Sequence, residues 1–500
     1  MVDELAAPPP GLPDDVALVL ASYRGPVVFG TDADGRRTTE RGPGGLVTAL
    51  RAVAAAHERT TWVCAAVTAA DAAVAAEHPG EPVEAEGLTV RLVRLDEQAR
   101  DAAYTVIANP LLWFVQHGLW GHADAPVLTR AHHAAYDEGY RPVNAAFADA
   151  VVAEVRRRRL DPDRGARPLV MVQDYHLYLV PAMVRAQCPD VLLTHFVHIP
   201  WPGPDAWLVL PPAWREELVT GLLGADTVAF HTETSARNFL VTAREFAAAS
   251  IDLDAMTATI GGRVVRAAHY PISVDVEAME ALAATEEVRG LADDLLARHA
   301  TGDARLLLRV DRTDPSKNIV RGFTAFAELL ERHPQWRGRA TFLALLQPSR
   351  QDVAEYTDYT RAIGAAAAEV NARYAAGTWQ PIELRFVQHL PLAVAAYSVC
   401  DVLVVNALAD GMNLVAKEAC LVNDRGMVLA LSEGTGAHAE LGAFAETLTP
   451  YDVSQQAEAL HRALSLPEQQ RRDRLGAAAA VVRRNDVTAW LAAQLRDLDL

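Results

Sequence analysis

Short, mainly apolar runs recur along the whole chain. They fall at 16–20, 61–67, 169–172, 191–197, 227–230 and 264–269, and again at 305–310, 340–346, 382–387, 402–405 and 427–431. Most are continuous rather than alternating with polar residues, as half-exposed strands do. This is the pattern of parallel strands covered on both faces. Stretches of helical period separate the runs. Strand–helix alternation on this scale predicts an α/β architecture of doubly wound units.

A chain of 500 residues is too long for one hydrophobic core. The stretch 276–300, rich in Ala, Leu and Glu, separates the two sets of runs. The expected organisation is a disordered lead-in over 1–12, a Rossmann-like domain over 13–272, a second over 273–480, and a C-terminal helix over 481–500 placed to cross back to the first domain. Two such sheets facing one another leave a cleft, and ligands of these folds sit at the C-terminal ends of strands.

Composition narrows the function. The net charge of −18 argues against a general nucleic-acid binder, which needs a basic face. The arginine run at 156–159 reads as the cationic end of a helix. No apolar stretch reaches the ~18 residues of a membrane span. Cys64, Cys188, Cys400 and Cys420 form no CxxC pair and no His/Cys cluster of metal spacing. The simple inference is a cytoplasmic protein without a structural metal. A homo-oligomer is left open.

Two segments carry the sharpest chemistry. "VVNALADGMNLVAKE" reads as strand, turn and helix, with Asp410-Gly411 in the turn and Met412 or Asn413 opening the helix. Such an N-terminus suits a phosphate. Glu418 shares a helix face with Leu414, where it can take sugar or ribose hydroxyls. The bland reading is a plain turn capped by Asp410. "RVDRTDPSKN" also follows an apolar run, with Arg312 and Lys317 five apart. A guanidinium and an ammonium there suit a diphosphate, against the bland reading of two solvated loop cations.

Weaker signals lie elsewhere. The glycine loop at 42–45 is not GxGxxG. "VMVQDYHLYLVP" and "THFVHIPWPGP" put Asp174, His176, His195 and His198 at strand ends, where a cap or a core histidine is the bland alternative. Arg24 and Arg350 each follow a strand-like run, and one arginine from each half suits an anionic substrate.

Taken in order, "DYHL", "HIPWP", "RTDPSKN", "PSRQDV", "DGMNLVAKE" and "RNDVTAW" resemble segments of the trehalose-6-phosphate synthases. These are retaining glycosyltransferases of the GT-B fold, with two facing Rossmann-like domains. The resemblance implies glucosyl transfer from UDP-glucose or GDP-glucose to glucose-6-phosphate, with no further cofactor. It assigns Arg312, Lys317, His198 and Asp174 to catalysis. Gly45, Asp410, Gly411, Met412, Asn413, Leu414 and Glu418 bind the donor. Arg24, Asp174, Arg350 and either Tyr136 or Tyr140 bind the acceptor, with a one-residue ambiguity between the two tyrosines. Gly118 stands where the family has a tyrosine. Such departures leave one alternative, a sister branch that couples an activated cyclitol to an amino-cyclitol phosphate, and the fold alone leaves another, a non-catalytic sugar-phosphate sensor.

Overall fold

The computed structural model describes residues 12–13, 15–32, 34–42, 47, 50–51, 54, 57, 59–120, 125–160, 167–299 and 302–500. The lead-in expected at 1–12 lies outside the described residues except for Leu12, which is buried. The chain divides into two compact units, Met1–Tyr270 with Thr488–Leu500, and Pro271–Val487.

In the first unit a ten-stranded sheet is described. From edge to edge it runs Ser250–Asp252, Thr257–Ile260, Arg263–His269, Thr227–Phe230, Leu192–Phe196, Arg167–Gln173, Val16–Ala21, Thr60–Ala65, Leu88–Val93 and Val83–Ala85. Its inner strands are parallel, and antiparallel pairs close both edges. Every residue of Val16–Ala21 is buried, as its apolar run requires. The chain starts on that strand, moves outward through Thr60–Ala65, then returns to its other side at Arg167–Gln173. The strand order therefore reverses between Val16–Ala21 and Arg167–Gln173, which pair in parallel with Ala21 opposite Val172.

The second unit holds a six-stranded parallel sheet in the order Ile382–Phe386, Ala340–Gln347, Arg305–Arg312, Val402–Val405, Val428–Ser432, Glu446–Leu448. Here too the chain starts in the middle, winds one way, and crosses back. The reversal lies between Arg305–Arg312 and Val402–Val405. Helix Ile319–Arg332 covers one face. Ile319, Phe323, Phe326 and Leu330 fall on one side of it, and Phe323 and Phe326 meet Phe342 of the sheet edge-on.

The two candidate tyrosines bound an irregular turn. Tyr136–Tyr140 forms a π-helical turn between the α-helices Arg130–Ala135 and Arg141–Arg159. A π turn takes in an extra residue without ending the helix, so sequence spacing across it is undefined by one. Among the described residues no helix is long and apolar enough to cross a membrane. All four cysteines are buried and unbridged.

Candidate active site

In doubly wound sheets, the point where the strand order reverses opens a crevice at the C-terminal strand ends. In the second unit Lys317 follows Arg305–Arg312, and Asp410 follows Val402–Val405. The two residues thus come from opposite sides of the reversal. The Lys317 ammonium and the Asp410 carboxylate form an ion pair there, both mostly buried. Asn413 Nδ2 also donates to the Asp410 carboxylate, at 3.1 Å.

Local sequence explains how these groups are held. Asp314 is fully buried, and its Oδ1 accepts from the Ser316 amide and hydroxyl at 2.9 and 2.7 Å. That closes the short turn Pro315–Lys317, and Asn318 leaves it with φ of +58°. The Leu408 amide donates to Ser316 O at 2.8 Å, stitching this turn to the Asp410 loop. Asn413 itself has φ of +80° and caps helix Leu414–Val422 by accepting from the Ala416 amide at 3.2 Å. The amides of Leu414 and Val415, between Asn413 and the capped Ala416 amide, form the open, partly positive end of the helix.

A second loop presses on the first. The Asp410 amide donates to Gly434 O, and the Gly436 amide donates to Asp410 O, both at 3.0 Å. A Cβ on Gly436 lies 1.9 Å from Gly411 O, and one on Gly434 lies 2.3 Å from Leu408 O. Only glycine permits that approach. Beneath the Lys317 turn, the fully buried Arg309 donates to Lys317 O at 3.3 Å and to the Asn406 side chain. Asn406 in turn donates to Asn318 O at 3.2 Å and to Gln456 Oε1 at 2.9 Å. Sequence reading missed Arg309, Asp314, Gly434 and Gly436. Apart from the local bonds of Asp314 to Ser316, their contacts are long-range or made by backbone.

Burial sets the electrostatics. Asp311 is pushed up to about 6 by burial, against the pull of Arg309, Lys317 and Arg312, with Asp410 adding to the rise. Glu418, on helix Leu414–Val422, is pushed up to about 7 by burial, opposed by a hydrogen bond with Tyr397. Arg350 has φ of +48°, unusual for a side chain of its size. Its guanidinium is only 7% exposed and donates to Asp314 Oδ2 at 3.1 Å, while it also bonds the Tyr356 hydroxyl. The expected phosphate ligand is therefore already engaged within its own unit.

In the first unit, Arg24 and Asp174 follow the two strands that flank the reversal there. Arg24 donates to Tyr104 OH at 2.8 Å. A pocket of about 260 Å³ opens beside them, lined by Tyr23, Arg24, Gly25, Arg100, Asp101 and Tyr104 among others. Tyr23 stacks on Tyr104 at 5.3 Å and on His176 at 4.8 Å. Asp174 has φ of +72° and ψ of +171°, a region rarely entered by side chains other than glycine. Its carboxylate accepts from the His198 amide at 3.3 Å. The His198 ring bonds Gln173 Oε1 at 2.8 Å and stacks on Phe196. Burial, then the neighbouring His231 and His195, hold His198 well below the usual histidine range. It is a neutral hydrogen-bonding group at pH 7.

Tyr136 and Tyr140 sit apart from Arg24 in this structure. Both rings are buried. Tyr136 lies flat on Trp214 at 4.3 Å, and the Tyr140 hydroxyl donates to Tyr175 O at 2.8 Å. Their helical spacing places them in the core, and Tyr104 and Tyr23 are the tyrosines beside Arg24. Gly45 lies outside the described residues.

Composition carries one further signal for this site. Of the 46 Lys and Arg residues, two are lysines, Lys317 and Lys417. Both place their ammonium groups in buried ion pairs of the second unit.

The model of glycosyltransferase family 20 matches residues 17–499. The bifunctional trehalose-6-phosphate synthase/phosphatase of Thermoproteus tenax is 33% identical over 493 residues, and the match covers 95% of this chain but 62% of that protein. The trehalose-6-phosphate synthase of Mycobacterium marinum is 33% identical over 489 residues, covering 95% of this chain and 92% of its own. A solved E. coli structure bound with UDP-2-fluoro glucose superposes with a TM-score of 0.80 at 26% identity, over 96% of this chain and 98% of that one. The UDP-forming alpha,alpha-trehalose-phosphate synthase from Burkholderia xenovorans, in complex with glucose-6-phosphate, gives 0.79 at 28% identity, over 97% of this chain and 100% of that one. With a matching fold and a family match spanning nearly every residue, the chain belongs to glycosyltransferase family 20, the GT-B glycosyltransferases that include the trehalose-6-phosphate synthases.

Proposed function

We propose that this chain transfers glucose from UDP-glucose or GDP-glucose to glucose-6-phosphate with retention of configuration, releasing trehalose-6-phosphate. The observation that carries the reading is the Lys317–Asp410 pair, drawn from both sides of a strand-order reversal beside an open helix end. Lys317 and Arg312 neutralise the departing diphosphate, which also meets the amides of Met412–Leu414. Asp410 takes donor sugar hydroxyls once the anion competes for Lys317. Glu418 holds the ribose. Arg24 binds the acceptor phosphate, Asp174 the acceptor sugar, and His198 lies beside the donor sugar; Arg350 joins the phosphate only by giving up its bond to Asp314. The donor carbon–oxygen bond stretches toward an oxocarbenium-like centre. The acceptor hydroxyl then attacks from the same face, giving its proton to a leaving phosphate oxygen. Catalysis rests on charge stabilisation and positioning, without a carboxylate nucleophile.

Incubation of the protein with each nucleotide-glucose and glucose-6-phosphate, followed by product mass and anomeric analysis, tests this. The expected product is a phosphorylated disaccharide with both anomeric linkages α. An inverted product, no product with either donor, or coupling seen only with a cyclitol donor overturns it.

A further inference from the structure

Lys417 lies next to Glu418 on helix Leu414–Val422, yet its side chain is 1% exposed. Its Nζ sits 2.6 Å from Glu440 Oε2 and donates to Ile272 O at 2.8 Å. Glu440 Oε1 accepts from Asn485 Nδ2 at 3.0 Å. The Val487 amide donates to Val274 O at 3.1 Å. These contacts fall where the chain passes between its two units, after Tyr270 and after Val487. Lys417 is thus bonded to the first passage directly and to the second through Glu440. The passages are also bonded to each other.

A lysine suits this place where an arginine does not. Apart from Lys317, the chain otherwise uses arginine for its fixed cations. A compact ammonium offers donors in tetrahedral directions, so it can bond a carboxylate and a carbonyl from different elements at once; a guanidinium spreads its donors in one plane. Burying the charge is costly unless its partners are in place. A chain that retains it here gains a link that forms only when helix Leu414–Val422 and both passages are correctly set.

We propose that Lys417 is a positioning residue that couples occupancy of the nucleotide site on helix Leu414–Val422 to the order of both chain passages, 271–275 and 484–488. The proposal rests on the nucleotide reading above. Ligand that fixes Asn413 and Glu418 fixes the helix that carries Lys417, and Lys417 and Glu440 then hold the passages. Hydrogen exchange followed by mass spectrometry, with and without UDP, tests it. In the wild-type protein UDP slows exchange at 410–418 and also at both passages, by at least about fivefold. In Lys417→Met the slowing at 410–418 remains and that at both passages is lost. In the milder Asn485→Ala, which leaves the Lys417–Ile272 and Val487–Val274 bonds intact, it is reduced at 484–488 and retained at 271–275. A purely structural lysine makes the passages exchange faster without altering the increment that UDP adds, which overturns the proposal. Slowing at 410–418 without slowing at the passages of the wild-type protein also overturns it. Absence of slowing at 410–418 overturns the nucleotide reading, and the proposal with it.

Discussion

Four residues in the flagged segments, Asp174, Asn318, Arg350 and Asn413, have positive φ without being glycine. Such backbone costs of order 1–3 kcal/mol each and persists where surrounding structure imposes it. Lys317 is delivered by one of these turns. Lys317→Ala and Arg312→Ala should each lower kcat by ~10²–10³-fold, the size expected for losing a donor at a departing oxyanion. Steady-state kinetics on both variants checks this, and near-normal turnover removes these cations from the mechanism. Arg309→Met loosens the Lys317 turn from below and should lower kcat by roughly 10- to 100-fold, as a small misplacement does, with less effect on either KM. Glu418 titrates on the protein's own behalf. Its folded value of about 7 lies above the ordinary 4.5, so the folded state binds more protons across that window, and its contribution to stability falls as pH rises. Denaturant unfolding of the unliganded protein at about pH 5 and about pH 8 should show this component vanish in Glu418→Gln.

At the scale of elements, the helix Leu414–Val422 depends on its Asn413 cap and on the loop pressed against it. Asn413→Ala removes the cap and forces alanine into a left-handed backbone, so about 1–2 kcal/mol of stability should go. Asn413→Gly keeps the backbone and should lose only a few tenths. Chemical denaturation of the pair separates the two contributions. The buried parallel strands were legible because both of their faces are apolar. Val402–Val405 coincides with an unbroken apolar run of the sequence, and Arg305–Arg312 is centred on the run Leu306–Leu308. The hairpin Val27–Thr31 with Arg37–Arg41 was not legible, since its second strand is almost wholly exposed and polar. Leu88–Val93 was also missed, because it mixes buried with half-buried positions. At the site, motif residues at the loop tips were legible, while the groups that hold them were not. Asp314 and Arg309 act through partners distant in sequence, and Gly434 and Gly436 act by having no side chain. Tyr136 and Tyr140 are buried, and an aromatic at helical spacing reads the same in a core as in a site.

For the whole molecule, the two compact units carry different sets of proposed ligands. Each has its own sheet, so calorimetry should resolve more than one unfolding transition. A nucleotide bound within Pro271–Val487 should raise the transition of that unit by mass action. Glucose-6-phosphate should act on the other through Arg24. The overall charge of −18 repels anions at long range, so binding of both substrates should depend on the local cations at the two strand-order reversals. The most direct test of this account is a crystal structure of the protein with a non-hydrolysable nucleotide-glucose. The account predicts the diphosphate within hydrogen-bonding reach of Lys317, Arg312 and the amides opening helix Leu414–Val422, with Asp410 turned to the sugar. A diphosphate bound away from this helix end, with the Lys317–Asp410 pair undisturbed, contradicts it.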